Sequence, residues 1–280
     1  MRPTRISATE WVSVDPAQVE RRVRVFGPRM LDTQFFSHIT AASLWGIPLP
    51  SFGTGEPVHI SVLSPQPRPR ANGIAGHELD GKVTRLVSID GIRVSDAAST
   101  WCQLASMLAL PDLVAVADYL LTPDGEPGPL VSFEELNAAV EERRGHRGAG
   151  QLRDALELTR LGSTSRVESV LRVLLHLAAL PEPQLHLPVL SDDGKFRTDI
   201  PIAFPEYRVG VDVNFEANRP FRVRSAELER LARLDDAGWR MLAFSDADVH
   251  PSRQYELRQK ISSLQNLLLQ QGWMPGSSAA

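Results

Sequence analysis

Asp212 stands between valines in the run Tyr207-Arg-Val-Gly-Val-Asp-Val-Asn-Phe215. With the two-residue period of a strand, Val209, Val211, Val213 and Phe215 share one face, and Gly210, Asp212 and Asn214 share the other. Aspartate is disfavoured in strands, and a buried carboxylate is costly unless a cation or hydrogen-bond donors meet it. Two further acids can reach the same place. Asp199 lies in Phe196-Arg-Thr-Asp-Ile-Pro-Ile202, and a hairpin between the two strands would set it beside Asp212. Glu168 lies in the first turn of the preceding helix. Like charges brought so close are tolerated when a divalent ion lies between them. Magnesium suits the arrangement, because it takes one or two carboxylates and completes its octahedron with water and substrate phosphate. Asp199, Asp212 and Glu168 are therefore the candidate metal ligands. Simpler roles stay open: Ser165-x-x-Glu168 is a capping box, and either aspartate could be neutralised by a nearby arginine.

The other residues with chemical potential are more dispersed. Arg219, Arg222, Arg224, Arg230 and Arg233 surround the helix that follows the acidic strand. Of these, Arg222, Arg224, Arg230 and Arg233 are the candidate phosphate contacts, against the alternative of a solvated face paired with Glu227 and Glu229. Arg68 and Arg70 in Ser64-Pro-Gln-Pro-Arg-Pro-Arg70 could reach a duplex groove or simply line an exposed loop. His38, His59 and His77 are scattered without metal-ligand spacing and read as hydrogen-bonded polar residues rather than ligands. Trp45, Trp101 and Trp239 fall on apolar faces. Cys102 has no base near it in sequence, so nothing marks it as a nucleophile.

These side chains must be positioned by two kinds of layout. Residues 36–162 read as an α+β unit: a short helix from His38 to Trp45, a strand from Pro57 to Leu63, strands near 74–79 and 83–89 joined by a turn at Asp80-Gly81, then four helices. Residues 163–280 read as helix, three strands, helix, strand, helix. The helix between the last two strands implies a parallel crossover and the rest antiparallel hairpins, so the expected fold is a mixed sheet flanked by helices. The spacing predicts a helix around 16–24, but residues 1–35 as a whole have no clear pattern.

Composition narrows the function. A chain of 280 residues is large enough for two packed units. With 34 acids against 30 bases the formal charge is -4, so any contact with nucleic acid must be local rather than a general coating of positive charge. Only Lys82, Lys195 and Lys260 among the 30 bases are lysines, a bias that suits phosphate recognition but also follows from a GC-rich genome. A single cysteine excludes an internal disulfide and a thiolate-rich zinc site. The longest apolar stretch, Val170 to Leu180, is broken by Arg172 and His176, and no apolar run follows the charged start of the chain. No membrane partner and a cytoplasmic location are the expectations.

Two resemblances add to this reading. Ser165-x-x-Glu168-x-x-x-Arg172, Asp199 with Phe204-Pro205-Glu206, Val209-Gly-Val-Asp212, Glu227-x-x-Arg230-x-x-x-Leu234 and Ala237-Gly-Trp239 lie within residues 163–250. That region resembles the very-short-patch-repair-like endonucleases, a branch of the PD-(D/E)xK nuclease fold. The resemblance implies a restriction-endonuclease-like sheet and, in an active member, magnesium-dependent endodeoxyribonuclease chemistry at Glu168, Asp199, Asp212 and the position of Asn214, through a metal-bound water. Relatives usually read Val-Glu-Tyr-Asp-Gly with a histidine shortly after. This chain has Asp212 for the glutamate, Asn214 for the second acid, Phe215 for the glycine and Ala217-Asn218 where the histidine is expected. Asparagine is no base and carries no charge, so the implied site holds magnesium weakly or not at all and has lost efficient hydrolysis; the alternative is an active magnesium-dependent endonuclease with Glu168, Asp199 and Asp212 as ligands. Ser37-His38-Ile-Thr40-Ala41-Ala42-x-Leu44-Trp45-Gly46-x-Pro48 with Val58-His-Ile-Ser61 resembles actinobacterial proteins grouped with the AbiE-type antitoxins of type IV toxin–antitoxin systems. Together they imply a DNA-binding or regulatory module in defence, toxin–antitoxin or repair settings, with DNA as partner and a toxin or effector protein as a second one.

Overall fold

A computed structural model describes residues 16–50, 56–123, 129–190, 197–213 and 221–276. They form two compact units, Met1–Arg166 and Val167–Ala280, each with its own mixed sheet flanked by helices. Among the described residues no helix is long and apolar enough to cross a membrane.

The first unit opens with α1 (Pro16–Phe26), β1 (Gln34–Phe36) and α2 (His38–Leu44), followed by β2 (Val58–Leu63), β3 (Ile74–Leu79), β4 (Leu86–Ile89) and β5 (Ile92–Ser95). The strands lie in the order β3-β2-β1-β5-β4. β1 runs antiparallel to β2 and parallel to β5, and β2 runs parallel to β3. Val23 of α1 packs with Phe36, Ala41, Val58, Ile60 and Val94, so the amino-terminal helix is part of this core rather than a separate segment. Four helices complete the unit: α3 (Ala97–Leu104), α4 (Leu110–Leu121), α5 (Phe133–Glu142) and α6 (Ala149–Leu158). Their starts are locally encoded. Asp96 accepts from the Ser99 amide at 2.7 Å, and Ser132 and Glu135 form a reciprocal capping box. Trp101 is fully buried and donates its indole N–H to the Leu113 carbonyl at 3.0 Å. Asp112 and Arg166 form a buried ion pair at 2.6 Å.

The expected turn at Asp80-Gly81 does not close a hairpin between β3 and β4, which are the two opposite edges of the sheet. The hairpin is β4–β5, closed by Asp90-Gly91 with φ of 50° and 79°, the left-handed pair that a tight two-residue turn requires. β3 is instead paired with β2, and the proline-bearing connection crosses back over the sheet at Gly76. A Cβ there would sit 1.8 Å from the Pro69 carbonyl oxygen.

The second unit follows the expected element order. It comprises α7 (Arg166–Leu177), β6 (Gln184–Leu190), β7 (Arg197–Phe204), β8 (Val209–Asp212), α8 (Phe221–Asp236), β9 (Arg240–Ala243) and α9 (Gln254–Gln270). The sheet is β6-β7-β8-β9, antiparallel except for β8 with β9. The expected turn at Asp193-Gly194 lies outside the described residues. Leu234 of α8 packs with Ile200, Ala203 and Trp239, with Met241 beside them. Lys260 of α9 donates to the Ala243 carbonyl at 3.1 Å and to Asp248 at 2.8 Å, tying the last helix to β9.

One irregularity decides where the acids point. Ile200 and Ala203 are three residues apart on β7 yet belong to one cluster. The inward side of the strand therefore changes across Pro201, which has no N–H to give to the ladder. Opposite it, His186 of β6 has a left-handed φ of 49°. A Cβ on Gly210 would lie 2.8 Å from Ile200 Cγ2 and 2.6 Å from Met241 Sδ, which places Ile200 on the Gly210 side of the sheet. Asp199, the residue before Ile200, then faces the other side.

Gly76→Ala is expected to lower the thermal midpoint of the first unit, with a loss of about 1–3 kcal/mol from overpacking against backbone. Gly150→Ala in α6, where a Cβ meets nothing within 4 Å, should raise it slightly through helix propensity. Paired melting curves followed by circular dichroism check both signs.

Candidate functional site

Asp212 ends β8, fully buried, with its carbonyl accepting from the Phe244 amide at 2.7 Å. α8 lies over this part of the sheet, held by Leu234, and one turn earlier the same helix presents Arg230. The Arg230 guanidinium is ion-paired with the Asp212 carboxylate and lies 4.0 Å from Glu227. Burial pulls the Arg230 pKa below its ordinary value. A guanidinium starts so far above neutrality that it stays charged. A buried negative charge is thus met by a half-buried positive one, which is one of the simpler roles that the sequence leaves open for Asp212.

Glu168, in the first turn of α7, is also buried, and its Oε2 lies 3.0 Å from His186 Nε2. The left-handed backbone at His186 is uncommon for a residue with a Cβ and places its ring against α7. Sequence reasoning did not single out His186; the alternation of Gln184 to Leu190 gives its strand but not its bend. Asp199 is exposed and pairs across the ladder with Pro188.

These placements bear on the proposed magnesium set. Magnesium needs its oxygens about 2 Å from one point. Among the described residues, Glu168, Asp199 and Asp212 do not form a group with ligand atoms within 4.8 Å of one another. The side change at Pro201 carries Asp199 away, while Arg230 and His186 engage the other two acids. Asn214, like Glu216, Ala217 and Asn218, lies outside the described residues.

The arginines separate in the same way. Arg230 turns to Asp212. Arg233 is exposed on α8. Arg222 and Arg224 belong to the first turn of that helix, and their side chains lie outside the described residues. Cys102 is buried, and burial pushes its thiol up to about 12, so it is inert as a nucleophile.

The histidines that look scattered in sequence converge in the first unit. Val58 and Ile60 of β2 face the apolar core. His59 and Ser61, one residue out of phase, face a buried polar cluster. Ser61 donates to Ser37 Oγ at 2.6 Å, and Ser37 Oγ is 2.9 Å from His38 Nδ1. The His38 amide donates to Gln103 Oε1 at 2.9 Å, and Ser95 donates to the same oxygen at 3.2 Å. The parallel register sets His77 opposite Ser61, diagonal to His59, and His59 Nδ1 is 2.9 Å from His77 Nε2. Burial, reinforced by the neighbouring imidazoles, lowers His38 to about 3. Burial, then His59 and Arg68, lowers His77 to about 4. Both are neutral at pH 7. The missing signal in the sequence was the pairing of β2 with β3, which no local pattern announces.

Two proteins of Mycobacterium tuberculosis are similar to this chain: Uncharacterized protein MT2308 of strain CDC 1551 / Oshkosh and Uncharacterized protein Rv2248 of strain ATCC 25618 / H37Rv. Each is 28% identical over 215 residues, spanning 75% of this chain and 73% of the relative. No family model and no solved structure matches the chain.

Removing one partner of a buried pair leaves an uncompensated charge, so Arg230→Ala should destabilise the second unit by roughly 3 kcal/mol. Adding Asp212→Asn to it should recover much of that loss. Urea unfolding of the single and double variants measures the coupling, and additive losses would mean that the pair does not act as a unit.

Proposed function

We propose that this protein is a DNA-associated regulatory module whose carboxy-terminal unit has a restriction-endonuclease-like fold but does not hydrolyse DNA. The ion pair between Asp212 and Arg230 carries this reading. In a hydrolytic site, a carboxylate at this strand position would hold a metal that activates water. Here a guanidinium supplies the compensating charge, and it offers no exchangeable position for water. The element order and the parallel pairing of β8 with β9 support the fold reading.

DNA recognition rests on arginine. The net charge of -4 confines phosphate contact to a local surface. The exposed Arg233, together with Arg222 and Arg224 on the same helix, supplies the forked donors suited to phosphate. The antitoxin-like text of the amino-terminal half supports a regulatory setting in defence, toxin–antitoxin control or repair, with a toxin or effector protein as a further partner.

Supercoiled plasmid incubated with the full chain in Mg2+ or Mn2+ should remain uncut, while a labelled duplex should show a gel shift that weakens steeply with salt. Combining Arg222→Ala, Arg224→Ala and Arg233→Ala should weaken the shift at least tenfold and flatten its salt dependence by about one unit of slope for each phosphate that is no longer neutralised. Nicking that disappears in Asp212→Asn would overturn the non-hydrolytic reading. Absence of any shift at low salt would remove DNA as the partner.

A further inference from the structure

We propose that His38, His59 and His77 form a binding site for a divalent late first-row transition metal, with zinc as the simplest case. Each residue offers one ring nitrogen, and the three nitrogens lie within 4.8 Å of one another. Imidazole triads suit zinc, copper, nickel and cobalt rather than magnesium or calcium, which prefer oxygen. This site belongs to the first unit and is independent of the acids of the second.

The surroundings of the rings argue for ligation beyond simple burial. Metal-bound histidines generally have the far nitrogen held by a carboxylate, carbonyl or hydroxyl, which fixes the tautomer and turns the ring. His59 Nε2 is 3.1 Å from Glu56 Oε1, which leaves Nδ1 directed at His77 Nε2. His38 Nδ1 is 2.9 Å from Ser37 Oγ; in the ligating tautomer Nδ1–H donates to that hydroxyl and Nε2 presents its lone pair. The backbone beneath is anchored: the His59 amide donates to Thr40 Oγ1 at 2.9 Å, and the Ser37 amide donates to the His59 carbonyl at 3.1 Å. Two ligands come from paired strands and the third from the start of α2, a rigid three-point support.

The geometry also states what binding must change. The His38 and His77 rings are stacked with centroids 3.9 Å apart and planes 24° apart. Ligands about 2.0–2.1 Å from a tetrahedral ion have nitrogens about 3.3 Å apart. The rings must turn out of their stack and close on the ion, with water completing the shell. Glu56 then acts as a positioning residue through His59.

The test uses tag-free full-length protein, stripped with chelator and titrated with Zn2+ in competition with a chromogenic chelator, then with Co2+ followed by visible absorption. One ion per chain is expected, with cobalt ligand-field bands of a nitrogen-bound site. His77→Gln should weaken zinc binding at least 100-fold. Glu56→Gln should weaken it by about 10–100-fold while keeping the cobalt bands. The exposed His146→Asn should bind as the parent does. Circular dichroism confirms that each variant is folded, and if His77→Gln is not, Glu56→Gln decides alone. Binding at less than one equivalent, or binding of equal strength in the parent and the folded variants, would overturn the proposal.

Discussion

A negative charge cannot lie inside a sheet without a positive one against it, and the second unit is arranged around that constraint. Asp212 brings the charge in at the end of a valine-rich strand, and α8 brings the answer in Arg230. The same helix must therefore cross the sheet at one height and one rotation, with Leu234 seated one turn further on. Gly210 is the complementary requirement, since Met241 and Ile200 occupy the room that any side chain would need. Charge, helix placement and close packing at this spot are one problem with one solution, and replacing any part of it disturbs the others.

The first unit, besides its own buried Asp112–Arg166 pair, carries a neutral network. Among its buried polar residues, Ser37 bonds with Ser61, and Ser95 with Thr100 and Gln103, through neutral hydrogen bonds. Such a network specifies a packing geometry more sharply than an apolar layer, because each hydroxyl has few directions in which it is satisfied. Three imidazoles sit at its margin, where β3 forms the edge of the sheet.

Most of the helices and the order of elements in the second unit were legible in the sequence, because amphipathic period and capping are local properties: Asp96, Ser132 and Pro111 each mark a helix start within a few residues. Partner choice was not legible. Asp80-Gly81 and Asp90-Gly91 are equally good turn dipeptides, and only the pairing of β3 with β2 decides that the second closes the hairpin. β1 and β5, of three and four residues, are too short to show a period. At the candidate sites the limits were physical too. A strict two-residue alternation puts Asp199 beside Asp212, whereas Pro201 removes a ladder donor and shifts the alternation by one. His59 and His77 are 18 residues apart, and their contact follows from a parallel register that leaves no trace in either strand alone.

The solitary thiol of this chain has a use that follows from its position. Cys102 sits in α3 among fully buried neighbours such as Trp101 and Leu104, and it has no activated sulfur chemistry of its own. An alkylating reagent can reach it only when the helical layer of the first unit opens. The labelling rate is then a clock for that opening alone, read on an unmodified protein without interference from a second cysteine. The amino-terminal half thus carries a built-in reporter of its own breathing motions.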